Sequence, residues 1–188
     1  TDGNTPSKSS KKYVKPIEFT ETVTLNTIAY RGSISSETKS AVIEKQSYLE
    51  PLEINPKVGF IKRWVGVKKF TVVDDIKLPN KATFTTVKNI DFTDFEGTEH
   101  VSMIFNGYFY AEEEGLYEFA TKSDDGSLLY IGDKFVVDNG GNHPAIEKNG
   151  MVALKKGWHP IIVKFHEATG GGSLKVWYTS PKNKKKIL

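Results

Sequence analysis

The sequence has no cysteine, only two methionines, and no apolar run approaching the roughly 20 residues that a membrane-spanning helix needs. Without cysteine there is no disulfide framework and no thiolate-ligated zinc, and the compartment stays open on redox grounds. A signal-peptide pattern is also lacking, although a chain that begins at Thr1 reads as a piece of a longer protein. An excess of one charge is missing too: 26 Lys and Arg face 23 Asp and Glu, for a net charge of +3. That balance argues against nucleic acid as a partner. The lysines gather at the two ends, as Lys8, Lys11, Lys12 and Lys15 and again as Lys182, Lys184, Lys185 and Lys186, which reads as a solvated surface and tail. Helical periodicity is almost absent, which removes the helix bundles from consideration.

What remains is a succession of short β-rich runs separated by turn chemistry. They are 22–30 (TVTLNTIAY), 68–73 (KKFTVV), 103–111 (MIFNGYFYA), 116–121 (LYEFAT), 127–132 (SLLYIG), 159–166 (HPIIVKFH) and 173–179 (SLKVWYT). In EEEGLY and KKGWHP a glycine stands directly before a run, the pattern of a turn that needs positive φ. Eleven Phe, 8 Tyr and 3 Trp suit a core made between two sheets, so the fold class is all-β, a sandwich or barrel. Composition shifts near KQSYLEPLEINPK, where two prolines interrupt polar residues. We place a linker at 47–56, between a small β unit over 1–46 and a larger one over 57–188.

Ordered features of the first unit carry a resemblance: the opening TDG, the following TPS, the Tyr-x-x-Pro of Tyr13 to Pro16, the Thr-Val-Thr strand and the Ala-Tyr-Arg-Gly end. Together they resemble the small immunoglobulin-like domain at the C-terminus of chitobiases and β-N-acetylhexosaminidases. There the TDG follows a strand, so the unit reads as truncated. The second unit, with FNGYFYAEEEGLYEFATKSDDGSLLYIGDKFVVDNGGNH and VALKKGWHPIIVKFHEATGGGSLKVWYTSP, resembles the PA14 domain, a β-sandwich module of toxins, glycosidases and yeast adhesins. This order of modules resembles the region downstream of the catalytic barrel in bacterial family-20 glycoside hydrolases. The implied location is the periplasm, the cell surface or the extracellular space.

Within SDDG, Asp124 and Asp125 place two repelling carboxylates side by side. By spacing alone the pair reads as an Asx-type turn opening a strand, with Gly126 providing the bend. The resemblance implies a different use. In sugar-binding PA14 adhesins such a pair is joined by a cis peptide and chelates calcium that in turn binds sugar hydroxyls. An asparagine and two backbone carbonyls complete that shell, and FHEATGGGSL puts Glu167 at the asparagine position and Thr169 and Gly171 at the carbonyl positions. Calcium accepts six to eight hard oxygen ligands in irregular geometry, so a third carboxylate is chemically admissible. Glu167 either closes the ion site or points outward to a sugar hydroxyl.

The loop DNGGNH contributes Asp138, Asn142 and His143, short polar groups suited to hydroxyl recognition and equally to a tight surface turn. The other histidines lack the spacing that would make His143 a metal ligand. Trp64, Trp158 and Trp177 read first as core residues. No catalytic constellation is present: neighbouring aspartates are badly placed as a glycosidase acid and nucleophile, GGG lacks the Walker residues, and no nucleophile elbow occurs. The expected function is therefore a non-catalytic, carbohydrate-binding accessory region of a glycosidase, with calcium as the ion, a glycan containing N-acetylglucosamine and the catalytic domain of the parent as partners. The alternative is a structural module that packs on that catalytic barrel and binds no sugar.

Overall fold

A computed structural model describes residues 4–66, 76, 82–95, 97–182 and 184–188. The chain divides into two compact units, residues 1–47 and 48–188. In the first, β1 (Val23–Thr27), β2 (Tyr30–Arg31), β3 (Ile34–Ser35) and β4 (Lys39–Ile43) make two nested antiparallel pairs, β1 with β4 and β2 with β3. None of its described residues is buried; Phe19, Val23, Leu25 and Ile28 reach half-burial. Two-stranded ribbons are too thin to enclose side chains, which is why this unit lacks a core of its own.

The second unit runs through β5 (Phe60–Gly66), β6 (Thr83–Val87), β7 (Val101–Ala111), β8 (Gly115–Asp124) and β9 (Ser127–Ile131). It continues through β10 (Lys134–Asn139), β11 (Ile146–Leu154), β12 (Gly157–Glu167), β13 (Ser173–Thr179) and β14 (Lys185–Ile187). These form a six-stranded sheet, β10-β9-β12-β7-β5-β6, and a four-stranded sheet, β11-β8-β13-β14, with every strand pair antiparallel. This is the all-β sandwich expected from the alternation. Inward positions repeat every second residue, as in Val101, Met103, Phe105 and Phe109 on β7 and Tyr117 and Phe119 on β8. The expected run 68–73 lies outside the described residues, whereas β10 and β11 appear where polar residues had blurred the periodicity.

The sheets meet through aromatic edges. Phe109 sets its ring against Tyr117, Phe119 and Tyr178 at centroid distances of 5.5, 5.0 and 4.8 Å, each in a T-shaped contact. Such contacts let the positive ring edge meet the negative ring face, adding to the free energy of burial. One inward position of β5 is a lysine: Lys62 is 1% exposed, and its ammonium donates to Asp94 Oδ2 at 2.7 Å. The partner stands on a 3₁₀ turn, Thr93–Phe95, which seals that flank of the core. Trp177 is buried as expected, while Trp158 lies half-exposed on the outer face against Tyr110, 4.8 Å between centroids.

The stretch 47–56, read from the sequence as a linker, is not free chain. Leu49 bridges Leu154 and Leu52 bridges Trp158, with Leu49 N–H donating to Ala153 O at 2.9 Å. The two prolines do not prevent these isolated bridges, because a segment paired at single residues needs only some of its amides. Phe109→Ala is expected to lower the unfolding free energy of the second unit by about 3–5 kcal/mol in urea titration. A loss below about 1 kcal/mol would mean that the three ring contacts do not act together.

Candidate metal and ligand site

One end of the sandwich gathers the acidic residues. β8 ends at Asp124, β12 ends at Glu167, and pairing sets Asp124 opposite Ser173 at the start of β13. The Asp124–Asp125 peptide is cis, as the resemblance implied. Asp124, Asp125 and Glu167 each offer a carboxylate oxygen, and the three atoms lie within 4.8 Å of one another. Asp124 is half-buried, Asp125 is 6% exposed and Glu167 is fully buried.

The three carboxylates are held differently. Both oxygens of Asp125 accept backbone amides: His143 N–H donates to Oδ1 at 3.1 Å and Ala168 N–H to Oδ2 at 2.8 Å. Asp125 therefore ties the 139–143 loop to the turn after β12. Charge-assisted bonds of this kind are about twice as strong as neutral ones, and each oxygen keeps a second lone pair for another donor or an ion. Glu167 is the opposite case. Its two oxygens are buried and accept no hydrogen bond of good geometry among the described residues, although the Gly171 and Asp125 amides lie near enough to help its charge. Burial pushes its carboxyl up to about 7, the charges of Asp125 and Asp124 add to the rise, and those two amides oppose it.

A ring of buried polar residues underlies the acids. Asn139, 1% exposed, donates through Nδ2 to Ser123 Oγ at 3.0 Å and to Ile146 O at 3.1 Å. Ser123 and Ser127 share a 2.7 Å hydroxyl contact, and Ser127 Oγ donates onward to Thr121 Oγ1 at 2.9 Å. On the other side, Ser102 Oγ lies 3.3 Å from His166 Nδ1. Burial holds His166 below its ordinary value; Asp125 opposes that shift and His100 adds to it. His100 adopts a φ of 55° while its amide donates to Ala168 O at 2.9 Å, fixing the turn from below. Sequence reading overlooked this ring. Its one signal is polar residues at inward phases, Ser123 and Ser127, on either side of the acidic pair.

The remaining expected residues divide. His143 reaches the site through its backbone amide, while its ring faces its own loop, with Nε2 3.2 Å from Asn139 O and Nδ1 3.0 Å from Pro144 O. Asp138 is exposed, and its Oδ1 accepts Gly140 N–H at 3.1 Å, the tight-turn use of that residue. Asn142 is exposed one residue before His143. Thr169 and Gly171 follow Glu167 in an exposed turn that needs glycine, with φ of 102° at Gly170 and 100° at Gly171. An ideal Cβ at Gly172 would stand 2.8 Å from Glu167 Oε2 and 2.6 Å from the Phe92 ring, so that residue must be small.

The chain has relatives among known proteins. A family profile of the PA14 domain matches residues 68–188. A β-hexosaminidase from Porphyromonas gingivalis is 27% identical over 187 residues, covering 94% of this chain and 24% of the relative's length. The chain thus spans about a quarter of that protein. Among solved structures, a PA14 sugar-binding domain from an RTX adhesin superposes with a TM-score of 0.59 at 15% identity, over 70% of this chain and 94% of that one. The epithelial adhesin 9 A domain of Candida glabrata, solved with Galβ1-3GlcNAc, gives a TM-score of 0.50 at 14% identity, over 77% and 92%. At such identities the superpositions speak for the fold, and the profile match over most of the chain establishes that it belongs to the PA14 domain family.

Proposed function

We propose that the second unit is a carbohydrate-binding accessory module of a glycosidase-like protein, and that Asp124, Asp125 and Glu167 hold a calcium ion through which glycan hydroxyls are recognised. The observation that carries this reading is the carboxylate of Glu167, fully buried beside two other acids and without a good hydrogen bond. A buried carboxylate so poorly hydrogen-bonded is costly unless it is protonated or paired with a cation. Three hard oxygen donors within 4.8 Å fit a divalent ion of calcium's ligand preference. A divalent ion held there would offset two of the three carboxylate charges and supply a hard cation that glycan hydroxyls can ligate.

The chain's own contributions follow from the geometry. Asp125 keeps the two loops together, Glu167 closes the floor, and Asp124, less buried, faces the more open side of the cluster. The carbonyls of Thr169 and Gly171 complete the shell in this reading, and Asp138, Asn142 and His143 line its edge. The sugar-binding title of the adhesin domain and the galactosyl-N-acetylglucosamine bound to the Candida domain support glycan as the ligand class. The hexosaminidase relative supports a catalytic partner in the same parent chain and a location outside the cytoplasm.

Asp124→Asn removes one of the three charges that tune calcium affinity and is expected to weaken calcium binding at least about tenfold in titration calorimetry, with unfolding in chelator unchanged. Glycan binding, assayed with Galβ1-3GlcNAc and N-acetylglucosamine, is expected in calcium and reduced by this variant. Unaltered calcium affinity would sink the assignment. Binding of neither ion nor sugar would favour the packing role.

The ion-free protein carries a second signature. Glu167 has a folded value near 7, above the ordinary 4.5, so the folded state takes up more protons between those limits. Its contribution to stability is therefore fully present below about 4.5 and lost as pH rises through about 7. His166, lowered by burial, works in the reverse sense, losing stability as pH falls. Comparison with Glu167→Gln isolates the acid: in chelator, wild type is expected to lose stability relative to the variant as pH rises from about 4.5 through about 7. Calcium should remove that difference, and parallel profiles in chelator would contradict it.

A further inference from the structure

A groove of about 400 Å³ lies on the outer face of the six-stranded sheet, away from the acids. Its floor is a row across three strands: Asn106 on β7 pairs with Ile61 on β5, which pairs with Thr86 on β6. Tyr108 stands two residues along β7 on the same face and is 42% exposed. The wall is the segment before β5, including Asn55 and Lys57, turned by Gly59 at a φ of 114°. A Cβ there would meet Val87 O at 2.8 Å, so the wall is set by backbone contact.

We propose that this groove is a second, metal-independent saccharide site, in which the Tyr108 ring stacks on a pyranose face and Asn55, Asn106 and Thr86 bond its hydroxyls. The chemistry of the lining selects this occupant. Ile61 and Tyr108 offer apolar surface, yet the side chains of Asn55, Thr86 and Asn106 make no hydrogen bond among the described residues. An apolar protein surface laid over them would strand those three groups without water, at a cost for each. A pyranose brings both an apolar C–H face and a rim of hydroxyls that satisfy amide and hydroxyl groups. The volume falls in the range of small-ligand sites.

The site is separate from the acidic cluster. Val101, opposite Glu167, is five residues along β7 from Asn106, or about 17 Å at the rise of an extended strand. The inference is thus independent of the calcium reading and fails or stands on different residues.

The test is an NMR titration in chelator with Galβ1-3GlcNAc, Galβ1-4GlcNAc and N-acetylglucosamine as probes. The side-chain amide signals of Asn55 and Asn106 and the ring signals of Tyr108 are expected to shift with at least one probe. Tyr108→Ala and Asn106→Ala should each weaken that binding at least about tenfold. Tyr108→Phe, which keeps the ring, and Asp124→Asn, which touches only the acids, should leave it intact. Thr86→Val, nearly isosteric, should weaken it without disturbing the fold. The proposal is overturned if no probe shifts these signals in chelator, if Tyr108→Ala binds as wild type does, or if the same signals shift with protein concentration alone, which would mark a contact between copies.

Discussion

Two backbone amides from different loops converge on the single carboxylate of Asp125, and the functional end of the sandwich depends on that convergence. One amide belongs to the loop after β10, the other to the turn after β12, so a side chain at the β8–β9 corner joins elements otherwise connected only through the sheets. The loops are short and polar and carry little apolar surface. Directional bonds to a buried charge are the means by which such segments acquire a defined geometry. The neighbouring acid Glu167 has no comparable bonds, and the contrast between the two defines what the site is suited to do.

Concentrating three carboxylates in a buried corner opposes the hydrophobic logic of the rest of the sandwich. Polar groups accompany the acids: Asn139, Ser123, Ser127 and Thr121 form one hydrogen-bonded chain, and Ser102 and His166 a second contact. Phe92 and Phe165, 5.0 Å apart, then begin the apolar interior. Lys62 and Asp94 show the same economy elsewhere, an interior ammonium matched by one carboxylate at the rim.

Much of this was legible in the residues. Six expected runs correspond to β1, β7, β8, β9, β12 and β13, because two-residue alternation reports which side chains face inward. The acids 124, 125 and 167 were identified by resemblance, and they do converge. Other readings failed for identifiable reasons. Residues 47–56 read as a linker because proline and polar residues mark loops, yet a bridge to Leu154 and another to Trp158 need only a few amides. Trp158 reads as core from its place at the start of a strand, but its strand phase turns it outward beside Tyr110. His143 reaches Asp125 through its backbone amide, while its ring lies against its own loop. No side-chain pattern announces a backbone donor.

The sequence by itself determined the fold class and the positions of six strands, the long β7, β8 and β12 among them, since alternation and turn residues are local properties. Tertiary structure decided which distant groups meet. That Glu167 is sealed without a good hydrogen bond while Asp125 takes two follows from the register of β8, β12 and β13, which no local pattern encodes. The same holds for the outer groove, where Asn106, Ile61 and Thr86 become neighbours only because antiparallel pairing aligns three strands. Burial and proximity are properties of the assembled sheets, and the properties of a carboxylate depend on both.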